Sequence, residues 1–590
     1  MSEALVNWQE WNDETFAQAQ RMDKPILLDI GAVWCHWCHR MDADTYSHPQ
    51  VAVFINENFV PIKVDNDRRP DINARYNMGG WPTTALLTPQ GEIITGATYV
   101  PPEQMLSLLR QVLQAYRADK ATLVERAAEI ARRREEANRP RARADARLSW
   151  GIVTQIVGSI ARAYDPVYGG LGAEPKFPQT EAYDLLLAEY VNGGQRDSRM
   201  TDMVVKSLAG MGSGGMYDHV EGGWFRYSTT RDWSVPHFEK MLEDHAKLLV
   251  THLNAYQVTR DEKIRAVAEK SLAYLMNTLY NEQRGTFAGS QDADEEYYAL
   301  SMVERRQRKA PFIDWTVYTD WNAMMAQALL LASSALGQAA WRDKALRLLD
   351  TLWATCYDAT NGALFHFVDS SGPHLPGLLR DPARLAQASL IAFQFTGEAR
   401  HLDRATMLAR AILDRLADAE GGGFFDRLDD LSAPGALRSR IKPIFENAVV
   451  ADVLITLHRL TGAEEYLRVG ESALLVFGDE YIRYNFMAAA YGLAVNHAVN
   501  EPTEIAVVGA MDDPRTQAML AAAWQVYAPW RIVRPLDPAR NAAAIAARGF
   551  PASGAPVAYV CRGQTCSAPI SNLASLTALL SDHSPLEGEP

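Results

Sequence analysis

The residues most able to do chemistry are two cysteines three positions apart. Cys35 and Cys38 lie in the run Lys-Pro-Ile-Leu-Leu-Asp-Ile-Gly-Ala-Val-Trp-Cys-His-Trp-Cys-His, residues 24–39. Ile26 to Ile30 reads as a buried strand, and Cys35 then falls where a helix should begin. Unpaired N–H groups and the helix dipole at that end favour a thiolate at Cys35. Cys38, one turn on, is placed to attack a mixed disulfide formed at Cys35. The pair is a candidate dithiol–disulfide couple, with Cys35 as nucleophile and Cys38 as the resolving thiol. Asp29, on the strand entering the site, is the candidate acceptor of the Cys38 proton. Trp34, His36, Trp81 and Pro82 are candidate substrate contacts. In Gly79-Gly80-Trp81-Pro82-Thr83 the proline is a candidate cis residue that would present backbone to an extended thiol substrate. A protonated His36 would favour the thiolate further and make the disulfide more oxidising.

Two other chemistries share this spacing. Cys35-His36-Trp37-Cys38-His39 matches the CxxCH pattern of c-type haem attachment, which requires export. The opening residues read without a basic, then apolar, export leader. Zinc would need two more ligands, yet there is no second CxxC, and the flanking histidines fall on different helix faces. A pair kept without redox turnover is the plainest alternative. Together the CxxC, Asp29 and Trp81-Pro82 resemble the thioredoxin fold over about residues 15–120, with His-Trp in place of thioredoxin's Gly-Pro. No cofactor is expected beyond the redox-active disulfide, and no metal.

A second concentration of reactive side chains spans 214–245. It holds Tyr217, Asp218, His219, Trp224, Arg226 and Tyr227 in a Gly-rich insert. Pro236 follows, and it suits the first turn of a helix. His237 and Glu239 would then stand near that helix's start, with Glu239 and Glu243 on one face. Further candidate pocket residues are Asp292 and Asp294 in a later insert, and Trp321, Asn322 and Glu446 at the starts of later helices, beside Asp320, Arg380, Asp381 and Asn447. A funnel lined by aromatics, carboxylates and histidine would suit a sugar. Plainer readings stand beside these. Asp381 before Pro382 reads as an N-cap; Asp292 and Asp294 read as turn formers; His219, His237 and His366 read as core histidines.

The elements that must position these groups fall into regions. Residues 1–125 mix short β-rich runs with helices. Residues 126–147 are charged and Arg-rich, and read as a solvated helix leading into a linker. Residues 148–498 are nearly all helix-like, and 499–590 return to strand, helix, strand, strand, with a frayed end over 582–590. Within the helical region a Gly-rich turn followed by aromatic or apolar residues recurs at Gly169–Gly170, Gly222–Gly223, Gly285, Gly362 and Gly422–Gly423. The periodicity gives about twelve helices, with a glycine turn after most odd-numbered ones. Six hairpins of this kind suggest a closed (α/α)6 toroid, whose inserts gather at one end where the inner helices begin. An open solenoid is the alternative.

Composition narrows the function. The chain has 590 residues and a net charge of −14, with 48% hydrophobic residues and five cysteines. That is an ordinary globular composition. An acidic chain argues against binding nucleic acid or anionic membrane, and no run approaches the ~20 apolar residues that cross a bilayer. So few cysteines cannot make a disulfide scaffold, and a cytoplasmic setting is expected. Cys561 and Cys566 are a candidate second disulfide or an electron relay from Cys35–Cys38, with two reduced cysteines as the plainer reading. Cys356 reads as core.

Longer motifs carry a resemblance. They are the Cys35–His39 run, Val64-Asp65 through Arg68-Arg69-Pro70-Asp71, Gly79 to Pro82, and Pro175-Lys-Phe-Pro178. Tyr217-Asp218-His219 through Tyr227-Ser228, Val235 to Leu242, Asp292-Ala-Asp294, Trp321-Asn322, and Cys561 through Cys566 with Pro569 complete the set. The chain resembles the spermatogenesis-associated, thioredoxin-domain-containing proteins over nearly its whole length. That resemblance implies a thioredoxin-like domain followed by a six-hairpin barrel similar to glycosidases and N-acylglucosamine 2-epimerases. The redox residues themselves make the first reading a thiol–disulfide oxidoreductase whose barrel binds a substrate or partner. The alternatives are a carbohydrate-active barrel with a regulatory thioredoxin-like domain, and a non-catalytic binding scaffold. The partners to expect are a protein or small-molecule thiol or disulfide, and a carbohydrate in the barrel.

Overall fold

The computed structural model describes residues 5–143, 145–550, 554–563 and 565–581. The expected fraying over 582–590 lies outside the described residues. The N-terminal unit runs α1 (Asp13–Met22), β1 (Ile26–Gly31), α2 (His36–Met41), α3 (Pro49–Asn58), β2 (Val60–Asp65), α4 (Pro70–Tyr76), β3 (Thr83–Leu87), β4 (Ile93–Ala97), α5 (Pro102–Ala118) and α6 (Lys120–Ala137). Its sheet has the order β2-β1-β3-β4. β1 and β2 are parallel, and β3 runs antiparallel to both β1 and β4. Every residue of β1 is buried, as a central strand covered on both faces requires. Ile26, Leu28 and Ile30 pack on one side with Phe16 and Tyr76, and Leu27 packs on the other with Met41 and Ile55. Asp29 is the one charged side chain in this strand. This is a thioredoxin-like unit.

The helical region opens with α7 (Trp150–Ala163), α8 (Thr180–Asn192) and α9 (Ser198–Ser213), followed by the two-residue strands β5 (Tyr227–Ser228), β6 (Pro236–His237) and β7 (Lys240–Met241). Next come α10 (Leu242–Thr259), α11 (Glu262–Tyr274), β8 (Tyr280–Asn281), β9 (Thr286–Phe287), β10 (Ser290–Gln291), the one-turn helices α12 (Glu295–Tyr298) and α13 (Met302–Arg305), β11 (Ile313–Asp314) and β12 (Val317–Tyr318). The region ends with α14 (Thr319–Ala335), α15 (Ala339–Cys356), β13 (Tyr357–Asp358), β14 (Ala363–Asp369), β15 (Gly372–Pro376), α16 (Arg380–Thr396), α17 (Ala399–Arg415), α18 (Ile444–Thr461), α19 (Glu464–Leu475) and α20 (Ala489–Val499).

The ring closes. Inner helices α8, α10, α14, α16, α18 and α20 each pack on the next, and α20 packs back on α8. Outer helices α7, α9, α11, α15, α17 and α19 line the outside, each against inner neighbours. Nearly every residue of α14 is buried, whereas α15 and α17 bury one stripe. This is the pattern of helices enclosed on all sides and on one side respectively. The structure is therefore an (α/α)6 toroid rather than a solenoid.

One expected boundary moves. α10 begins at Leu242, not at Pro236, because Pro236–His237 pairs with Tyr227–Ser228 and Lys240–Met241 pairs with Ser290–Gln291. Glu239 thus lies in a strand linker, and it does not share a helix face with Glu243.

The recurring glycine turns have a common construction. In three of them an aspartate opens a loop closed by two positive-φ glycines, and a buried lysine reaches back into it. Lys176 Nζ donates to Asp165 Oδ2 and Gly169 O (both 2.7 Å), and Lys240 Nζ to Asp218 Oδ2 (2.8 Å) and Gly222 O (2.9 Å). Lys442 Nζ does the same with Asp418 (2.6 Å) and Gly422 O (2.7 Å). The glycines are obligatory, since a Cβ at Gly223 would lie 2.6 Å from Tyr274 Cδ1 and 2.8 Å from His245 Nε2. The fourth residue of an inner helix then clips the aromatic after the turn. Asn447 accepts from Phe424 N (2.7 Å) and donates to Phe424 O (2.9 Å), and Asn322 holds Phe287 likewise. His245 Nε2 accepts from Trp224 N (3.0 Å).

The last unit comprises β16 (Thr503–Val508), α21 (Pro514–Ala522), β17 (Ile532–Leu536), α22 (Ala542–Ala547), β18 (Val557–Arg562), β19 (Thr565–Cys566) and α23 (Leu573–Ser581), with sheet order β17-β16-β18-β19. It seals the C-terminal ends of the inner helices. Trp524 stacks on Phe395, Trp530 stacks on His497, and Gln394 Oε1 accepts from Val533 N (2.9 Å). The N-terminal unit covers the opposite end, where the inner helices begin. Arg75 makes a bidentate pair with Asp426 (2.8 and 3.2 Å), and Arg68 Nη1 meets Asp369 Oδ2 (3.1 Å). Among the described residues no helix is long and apolar enough to cross a membrane.

Candidate functional site

Cys35 is the N-cap of α2, and its Sγ accepts from Cys38 N (3.2 Å). The two sulfurs are joined as a disulfide. An added Cβ at Gly31 would lie 3.5 Å from Cys38 Sγ, and Asp29 shares that face of β1 by the two-residue alternation of a strand. Lys63 Nζ is 3.4 Å from Asp29 Oδ2, and the Tyr46 hydroxyl donates to Asp29 Oδ1 (3.4 Å). Burial pushes the Asp29 pKa up to about 6 despite Lys63. The Trp81–Pro82 bond is cis.

The redox face looks into the barrel. Cys35 and Cys38 are 5% and 7% exposed and cluster with Trp34, Met241 and Leu242. The Arg226 guanidinium sits 4.1 Å from the Trp34 ring centre and 5.0 Å from that of Trp81. His39 follows Cys38, and its Nδ1 is 3.9 Å from Asp292 Oδ2. Asp292 is raised to about 6, chiefly by burial. Glu239 is buried against His237, with Oε1 3.0 Å from Nδ1, and His237 stacks on Tyr227. His36 is half-buried and has Trp37 as its ring neighbour.

Between the N-terminal unit and the ring lies a chamber of about 310 Å³. The first unit supplies Asp67, Asn73 and Trp81; the ring supplies Arg226, Asp244, Trp321, His366, Arg380 and Glu446. Asp67 ties the two together. Its carboxylate accepts from Trp34 Nε1 (2.5 Å), and its carbonyl accepts from His366 Nε2 (2.8 Å). His366 Nδ1 faces Asp381 Oδ1 at 2.9 Å, and its Nε2, facing a carbonyl, is the donor of the Asp67 bond. Burial alone would lower its pKa, but the Asp381 carboxylate outweighs that and raises it. Asp67 and Asp244 are each raised to about 7, chiefly by burial. Asp320, His366 and Asp381 offer ligand atoms within 4.8 Å of one another. A cation's place there is already filled, because Arg380 Nε lies 2.7 Å from Asp320 Oδ2. Below the chamber further polar cavities follow the ring axis, past Glu181, Lys247 and Arg384.

Several expected pocket residues do other work. Asp218 is locked by Lys240 and by Arg305 Nη1 (2.7 Å), so it braces its insert. Tyr217 and Trp224 are buried in the outer core. His219 is exposed and bonds Gly214 O (3.1 Å). Asp294 caps α12 through Tyr297 N (2.8 Å), and Asn322 is the clip on Phe287. Tyr227, His237, Glu239 and Asp292 form a group beside His39 and do not line the chamber. Arg226, Trp321 and Glu446 do. Asp381 is not an N-cap; it lies inside α16 and pairs with His366. The contributions of Asp67 and Asn73 are not foreseeable from sequence, because they depend on how one unit sits on another. Asp244 and His366 carried a local signal, as ionisable residues beside an inner-helix start and between two aromatics.

Cys561 and Cys566 face each other in the β18–β19 hairpin and are bonded, S–S 2.05 Å. They lie on the unit at the far end of the ring from Cys35–Cys38, so a direct relay between the pairs has no contact to run through. Cys356 is buried.

Residues 1–134 match the family model Thioredox_DsbH, described as a protein of unknown function, DUF255. Spermatogenesis-associated protein 20 of Homo sapiens is 26% identical over 98% of this chain and 90% of its own length. The thioredoxin of Alicyclobacillus acidocaldarius is 30% identical over 17% of this chain and 94% of its own length. Among solved structures, a cellobiose 2-epimerase from Bacillus thermoamylovorans aligns with TM-score 0.45 and 11% identity, over 56% of this chain and 85% of that one. A D-mannose isomerase aligns with TM-score 0.46 and 12% identity, over 58% of this chain and 97% of that one. The likeness to spermatogenesis-associated protein 20 thus runs from the matched unit, with its CxxC, through the ring to the last unit.

Proposed function

We propose that the protein is a thiol–disulfide oxidoreductase in which Cys35 attacks, Cys38 resolves, Asp29 takes the proton from Cys38, and the barrel holds the substrate against the redox face. One observation carries this reading: the sulfur pair spans the first turn of α2, with Cys35 Sγ already receiving a backbone N–H. That donor would stabilise a thiolate at the same position. Trp34 and cis-Pro82 would border the entering sulfur. The test is dithiothreitol-driven reduction of hydroxyethyl disulfide by the full chain. Cys35→Ser should abolish the catalysed rate, and equal rates in wild type and variant would overturn the reading.

A second reading, carbohydrate chemistry in the barrel, is favoured by the His366–Asp381 pair on the chamber wall. Nδ1 is held by Asp381 and Nε2 by the Asp67 carbonyl, so His366 would move a proton to or from a sugar carbon only when the Asp67 bond opens. Of the expected pocket residues, His219 bonds the Gly214 carbonyl and Asp218 is locked by Lys240 and Arg305. Incubation with D-mannose in D2O should then place deuterium at C2, and His366→Gln should stop it. No exchange above the protein-free control would rule it out.

A further inference from the structure

The chamber and the redox pair share a wall: Trp34, next to Cys35, bonds Asp67 and contacts Trp81 and Arg226, and all three of these line the chamber. The face on which an extended protein substrate would lie, between Trp34 and Trp81-Pro82, is occupied by Arg226 stacked on both indoles. Trp81 itself lines the chamber. A substrate with its ring in the chamber would pass its sulfur to Cys35 beside Arg226 and Trp34, and the volume of about 310 Å³ suits one substituted ring.

The chamber wall also states what that ring must carry. Asp244 Oδ2 and Trp321 Nε1 are buried and have no hydrogen-bond partner among the described residues. Both side chains line the chamber. Trp321 Nε1 needs an acceptor and the ionised Asp244 a donor, and leaving either unmet is costly. A hydroxyl group meets both needs. Trp81 and Trp321 offer flat apolar faces to a ring's C–H surface. Asp67, Glu243, Asp244 and Glu446 share the wall with Arg226, Arg380 and His366, while Asp71 and Asp426 are paired with Arg69 and Arg75. That balance offers no net positive charge to an anionic ligand such as an acidic peptide thiol.

We propose that the substrate of the redox pair is a low-molecular-weight thiol, or its disulfide, carrying a neutral or cationic polyhydroxylated ring that is seated in this chamber. The inference rests on the oxidoreductase reading above. The reduced pair acts on the symmetrical disulfide in two displacements. The Cys35 thiolate attacks one substrate sulfur, forming Cys35–S–S–R and expelling RS⁻ with the electron pair of the broken bond. Cys38, its proton passed to Asp29, then attacks Cys35 Sγ and expels the second RS⁻. Two electrons have moved to the substrate, and the pair ends as the disulfide seen here. A dithiol reductant restores it.

The test uses the full chain with Cys38→Ser, so that Cys35 is trapped as a mixed disulfide and counted by intact mass. The probes are the disulfide of 1-thio-β-D-glucose, hydroxyethyl disulfide and glutathione disulfide. The sugar disulfide should react about tenfold faster than hydroxyethyl disulfide, equivalent to ~1.4 kcal/mol, and faster still than glutathione disulfide. Adding Asp244→Asn or Trp321→Phe should bring the sugar-to-hydroxyethyl ratio towards one. A ratio near one without these changes, or one that survives both, overturns the chamber's role and leaves the redox reading standing. Failure of all three probes to react overturns the oxidoreductase reading itself.

Discussion

Asp29 shows what a single buried carboxylate can do. It sits in a central strand with Lys63 and Tyr46 as its polar company, and its folded pKa of about 6 lies above the 3.8 of a free aspartate. Between those values the native chain binds a proton that the unfolded chain has lost. Stability from this group is complete below pH 3.8 and falls as pH rises to about 6. Above about 6 the carboxylate is free to accept the Cys38 proton. Asp29→Asn should slow resolution of the mixed disulfide at neutral pH by about 10²-fold and erase the rise through pH 6; a pH–rate profile of thiol release checks both. Asp29, Cys35 and Cys38 were legible because a strand, a helix start and a three-residue spacing are local properties. The roles of Asn322 and Asp218 were not. Each is polar, at the start of an inner helix or in an insert, and the sequence marks such positions alike whether they face a ligand or a backbone carbonyl 35 residues away, as Asn322 does with Phe287.

At the scale of elements, the twelve ring helices follow from apolar spacing, and the exception is instructive. Pro236 fits a helix start on local grounds, but two antiparallel pairings with distant residues outweigh that preference and delay α10 to Leu242. Three of the inserts are held by lysine staples. Lys442 has a fully buried side chain, and Asp418 and the Gly422 carbonyl are its partners. Lys442→Met should cost about 3 kcal/mol in urea unfolding, because it leaves Asp418 without its counter-charge. Adding Asp418→Asn should recover much of that loss. A repeat of glycine turns could be read from the sequence, whereas the buried pair that holds each one could not, since lysine and aspartate are mostly surface residues.

For the whole molecule, the decisive feature is that one unit sits as a cover on the mouth of another. The cover is held by Arg75–Asp426, Arg68–Asp369 and the His366–Asp67 bond. On the oxidoreductase reading, these contacts would keep long disulfide-bearing chains away from Cys35. Arg75→Ala should loosen the cover, raise hydrogen exchange in α4, and speed insulin reduction about tenfold, the effect of ~1.4 kcal/mol on the open population. Unchanged insulin reduction alongside increased exchange would show that the cover does not guard the sulfurs. None of this docking is visible in the sequence, which reveals each unit's own core but not the salt bridges between residues some 300 positions apart.

The meeting of α20 with α8 has its own consequence for how such a chain can vary. A stack of helical pairs with free ends can gain or lose a pair and keep its remaining contacts. A circle cannot, because removing one hairpin changes the curvature demanded of the other five and opens a seam on the axis. Growth is therefore confined to the loops at the two rims, where extra residues alter what is admitted to the bore without altering the wheel that carries it.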